Sequence, residues 1–107
     1  MKQKEEYPWD LNDAIKYFNN LDKEGQISVL EGLKETKTEI IDILSYKDRV
    51  LEVTFFQTQM NLATEARQQH MNEGRTASWV YAALTESLCG LFIVKKYDLA
   101  LSFLEEI

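Results

Sequence analysis

Apolar residues recur along most of this chain at three- and four-residue spacing, the period of a helix with one buried face. The strongest run covers residues 77–94. Ala77, Val80, Leu84, Leu88 and Leu91 fall on one stripe there at about 100° per residue, with Tyr81 beside it. The opposite side carries Trp79, Ala82, Glu86, Gly90 and Ile93, which is not a solvent-facing set. A helix that is apolar nearly all round is covered by neighbouring helices or by lipid. The run sits at the short end of the roughly 17–25 residues a membrane span needs. Glu86 at its middle costs about 3 kcal/mol on insertion scales. The pattern therefore favours a buried helix wrapped by the others over a membrane span.

Upstream, Asp10 is placed to cap a first helix, with Leu11, Ala14, Ile15, Phe18 and Leu21 as its apolar face. Ser28-Val29-Leu30-Glu31 has the form of a capping box. It opens a second helix, with a start already at Asp22 as the alternative, in which Leu33, Ile40 and Leu44 share a stripe and Gly32 is a weak point. Ser45-Tyr46-Lys47-Asp48 repeats the pattern, so a break is expected there rather than one continuous rod. The third helix carries two apolar rows, Val53-Phe56-Met60-Ala63 and Leu51-Phe55-Leu62-Ala66, and is expected to pack between two partners. Gly74 reads as its left-handed stop. Thr76 or Ser78 then caps the central helix, and Asp98 a last one. The expectation is an all-α bundle of four to five antiparallel helices at about 10–21, 27–44, 46–73, 77–95 and 98–106. Residues 1–8 read as a flexible lead and 9–107 as one helical domain.

Composition agrees with that class. Four Gly and one Pro in 107 residues, with 45% hydrophobic, leave few breakers for a β-rich fold. The net charge of −6 disfavours phosphate backbones and anionic membrane surfaces, and favours a basic partner. An acidic mimic that blocks a nucleic-acid-binding protein is an alternative of the same sign. One cysteine, Cys89, suits a reducing compartment, and the start lacks the apolar core of a secretory signal, so a cytoplasmic location is expected.

Residues 84–104, ending Lys-Lys-Tyr-Asp-Leu-Ala-Leu-Ser-Phe-Leu, resemble part of a tetratricopeptide hairpin, with Tyr97 and Ala100 in that family's aromatic and small positions. Leu88 stands where the family has Gly or Ala. The resemblance covers about a fifth of the chain and implies a helical-hairpin scaffold of the kind that binds other proteins.

Candidate chemistry is sparse. Glu31, Glu35 and Glu39 are spaced i, i+4, i+8, with Glu24 and Asp42 in line. Such a row can hold Mg²⁺. Glu39-Ile40-Ile41-Asp42 resembles the Glu-x-x-Asp fragment of all-α nucleotide pyrophosphatases, but the Glu-Glu-x-x-Glu partner is missing. Glu24, Glu31, Glu35 and Asp42 lie opposite Leu33 on the wheel, as a solvent face would. Arg67 and His70 break the row of Phe56, Met60 and Ala63, and such conflicts mark functional positions.

The sequence reading is thus a small non-enzymatic module, an adaptor, escort, inhibitor or regulator. It needs no cofactor or metal and binds another protein or a second copy of itself. Its surface would combine Trp79, Glu86 and Ile93 with Arg67, His70 and Arg75 on an exposed helical face. A metal-dependent hydrolase using the helix-two carboxylates is the alternative of a different class.

Overall fold

The computed structural model describes residues 10–107; the expected flexible lead at 1–8, and Trp9, lie outside the described residues. Five helices follow in order: α1 (Leu11–Asn19), α2 (Lys23–Ser45), α3 (Arg49–Glu73), α4 (Thr76–Ile93) and α5 (Tyr97–Glu105). The described chain is an all-α bundle.

The helix ends follow local chemistry. The Asp10 carboxylate accepts from the Asn12 amide, and Asp48 accepts from the Leu51 amide. Each satisfies one of the four donors a helix start leaves open. The break between α2 and α3 is real, with Lys47 in the left-handed region at φ 52. Gly74 sits at φ 74, and the Arg75 amide reaches back to the His70 carbonyl at 2.9 Å, closing α3 as expected.

Four expected starts move. α3 begins at Arg49 rather than 46, because Asp48 and not Ser45 caps it; the Ser45 hydroxyl donates to the Asp42 carbonyl within α2. α2 begins at Lys23, because the Asp22 side chain accepts from the Gly25 amide at 2.8 Å; the Ser28 capping box lies inside the helix. Neither Thr76 nor Ser78 caps α4, which starts after Arg75 without a side-chain cap. Asp98 falls in the first turn of α5 rather than before it, where its charge suits the helix dipole.

α4 is the hub, packed against each of the other four helices. Ten of its 18 residues are buried, including every one from Ala82 to Cys89. It is also the one described helix long and apolar enough to cross a membrane. Here its apolar surface meets protein. Against α3, Phe92 stacks on Phe56 with ring centroids 4.5 Å apart. The contacts along this pair descend on α4 as they rise on α3, from Arg49 at Ile93 to Arg67 at Glu86, the sense of two antiparallel helices.

The C-terminal end of α4 is held from outside. The Arg49 guanidinium donates to the Phe92 carbonyl at 3.3 Å and the Ile93 carbonyl at 2.8 Å. It also donates to the Tyr97 hydroxyl at 2.7 Å, and that hydroxyl donates to the Glu52 carboxylate at 3.1 Å. A cation on the last carbonyls of a helix meets both their open acceptors and the negative end of the dipole.

The third helix corrects an expectation. Its first row faces inward, with Phe56 and Ala63 buried. Its second row is only half covered: Phe55 packs on the core beside Phe56, whereas Leu51 and Leu62 are exposed, Leu62 at 55%. The reason is geometric. α2 and α3 both lie on α4 and touch each other only sparsely, so the flank of α3 that should meet α2 faces a gap.

Candidate functional site

Two polar features meet on the α3–α4 face. The first is sealed. Glu86 is 2% exposed and Arg67 6%. The Arg67 Nε donates to the Glu86 carboxylate at 2.9 Å, and Thr64, one turn earlier on α3, donates its hydroxyl to the same carboxylate. An unpaired charge at this depth would be costly, whereas a paired and hydrogen-bonded one is tolerated. The adjoining Cys89 is buried, and its thiol is pushed up to about 12 by burial first and by the Glu86 charge second. A thiol so placed is a small apolar filler, not a nucleophile.

The second feature is a groove of about 340 Å³ between α2 and α3, with α4 as its floor. The gap behind the exposed row of α3 is this groove. Its α2 wall is made by Ser28, Val29 and Gly32; Leu62, Ala66 and His70 stand on the α3 side; Ala82 and Thr85 belong to the floor. No Lys, Arg, Asp or Glu is among the described residues that line it. Gly32, the suspected weak point of α2, is instead a site of close approach. A Cβ there would come within 2.9 Å of the Tyr81 ring. The Tyr81 hydroxyl is paired with the Thr36 hydroxyl at 2.6 Å, which holds the ring against the glycine.

Two polar atoms in this groove have no hydrogen-bond partner, the Thr85 hydroxyl and His70 Nδ1. Thr85 is 7% exposed. Buried polar groups are nearly always satisfied, so two orphaned atoms on residues that line one groove are an exception to that rule.

The six residues singled out from the sequence do not form one exposed face. Arg67 and Glu86 are brought together, but in the interior as an ion pair. His70 reaches the groove. Trp79 is half-buried with its ring edge-on to Tyr17 of α1 at 5.0 Å. Ile93 is half-buried near the far end of α4, and Arg75 is exposed beside Glu73 at 3.2 Å. Reading Glu86 as surface fails because periodicity assigns a charge outward unless a partner charge on another helix is known. Thr85, Gly32 and Leu62 were missed as site residues. Leu62 had carried a signal, as part of an apolar row with no evident cover.

The helix-two carboxylates Glu24, Glu31, Glu35, Glu39 and Asp42 are all exposed, as their wheel position indicated. Among the described residues no three of His, Cys, Asp and Glu converge as a bound metal ion requires. The α4–α5 hairpin is present, with Ala100 buried and Tyr97 edge-on to Phe92 at 5.8 Å. No family model, curated protein or solved structure matches the chain.

Proposed function

We propose that this chain is a non-enzymatic protein-binding domain whose receiving surface is the α2–α3 groove over α4. The observation that carries this reading is the groove itself. It combines an exposed apolar residue at Leu62 with two residues that carry an unpaired polar atom, Thr85 on the α4 floor and His70 on the α3 side. Interfaces use that combination of apolar contact with a few placed polar groups. The chemistry-bearing residues elsewhere are committed to structure: Glu86 and Arg67 to each other, Arg49 and Glu52 to the α4 terminus.

Selection of displayed helical peptides against the domain tests the reading. The expected outcome is enrichment of sequences with apolar residues at i, i+4 and i+7. Their binding should be lost with Leu62→Glu and kept with Lys34→Glu on the opposite side of α2. No enrichment, or enriched peptides that ignore Leu62→Glu, would refute it.

A further inference from the structure

We infer that the groove receives a single amphipathic α-helix from a partner protein, with Lys or Arg along the edge that meets α2. This rests on the protein-binding reading above and names the partner's chemistry.

Length comes first. From Gln59 to His70 the α3 wall runs about 16 Å at 1.5 Å per residue, three helical turns. That accommodates anchors at i, i+4 and i+7. Shape comes second. Ala66 and Ala82 keep the α3 wall and the floor low, so a helix backbone can approach closely while its apolar side chains meet Leu62. Polarity comes third. The Thr85 hydroxyl and His70 Nδ1 lie beneath the surface, and no charged side chain among the described residues lines the groove, so it presents a mainly apolar and neutral surface to an incoming helix.

Charge decides which helix. Ser28 and Gly32, which line the groove, continue along the same stripe of α2 as Glu35 and Glu39 at i+7 and i+11. Both carboxylates are exposed, as is Glu31 beside them. Lys23, Lys34 and Lys37 lie roughly 120–180° away from Ser28 around α2. The α2 lip of the groove is therefore acidic, while the groove itself carries no charged residue among those described. A partner's cations would sit at the lip in solvent, and its apolar face below. A second copy of this chain fits poorly, since each carries a net charge of −6 and docking would oppose like charges.

The test is a panel of labelled helical peptides with varied apolar faces, each made in a Lys-flanked and a Glu-flanked form, followed by fluorescence anisotropy. The Lys-flanked form should bind about tenfold tighter at low ionic strength. The preference should vanish near 1 M salt, where the screening length is about 3 Å. The double variant Glu35→Lys, Glu39→Lys should reverse it, and Leu62→Glu should abolish binding of both forms. Equal binding of the two forms, lost with Leu62→Glu, would overturn the basic partner and keep the groove as a helix site. If no peptide binds, or binding survives Leu62→Glu, the groove as a protein-binding site falls as well. Self-association that Leu62→Glu disrupts would make a second copy the occupant and overturn the inference.

Discussion

Thr85 and Glu86 are neighbours on α4, and Arg67 and His70 lie one turn apart on α3, yet the two pairs have opposite fates. Glu86 and Arg67 face each other across the packed seam, and Thr64 completes their hydrogen bonding. Thr85 and His70 face the gap left where α2 stands away from α3, and their polar atoms end unpaired. The same two helices thus build a closed polar site and an open one. The closed site joins α3 to α4. The open one is the groove proposed above to receive a partner.

The comparison is sharpest at the ion pair. Arg67→Met alone should cost about 3–5 kcal/mol, since it leaves Glu86 buried without its cation. Adding Glu86→Leu should recover most of that loss in chemical denaturation. If both variants fall equally, packing rather than charge holds the seam. Thr64→Val comes next, at about 1.5–3 kcal/mol for a hydrogen bond to a charged group.

Gly32→Ala tests the groove wall. Alanine normally gains about 1 kcal/mol over glycine in a helix. Here its Cβ would press within 2.9 Å of a Tyr81 ring that Thr36 holds in place. A net loss of about 1 kcal/mol in thermal melts is expected. Thr85→Val should go the other way, neutral or stabilising by up to about 1 kcal/mol, because it removes a buried hydroxyl with no partner. A large loss there would show that the hydroxyl is satisfied in solution.

Cys89 gives the smallest effect. Its thiol is raised from an ordinary 9.0 to about 12, so folding favours the protonated form. That contribution is intact below pH 9 and is lost as pH rises towards 12. Native protein should resist a thiol reagent at pH 8 and react on unfolding, and Cys89→Ala should soften the alkaline loss of stability.

Much of the fold was legible because its signals are local. Asp10 and Gly74 act through backbone geometry within a turn, and the run at 77–94 is too apolar to sit anywhere but the centre. The start of α2 was ambiguous between Asp22 and the Ser28 box because Gly25 reads as a breaker, whereas Asp22 caps across it. The site was barely legible. Glu86 looked outward-facing because its partner Arg67 is 19 residues away on another helix. The groove is the space between two helices, and only the uncovered row of Leu51 and Leu62 hinted that such a space exists.

The most direct test of the groove is amide and methyl NMR of the full chain titrated with a Lys-flanked helical peptide. Shift changes concentrated at Leu62, Ala66, Tyr81, Ala82 and Thr85, with Glu35 and Glu39 at the edge, are the expected result. Changes centred instead on Leu11, Leu91 and Phe103, around the second cleft between α1, α4 and α5, would contradict it.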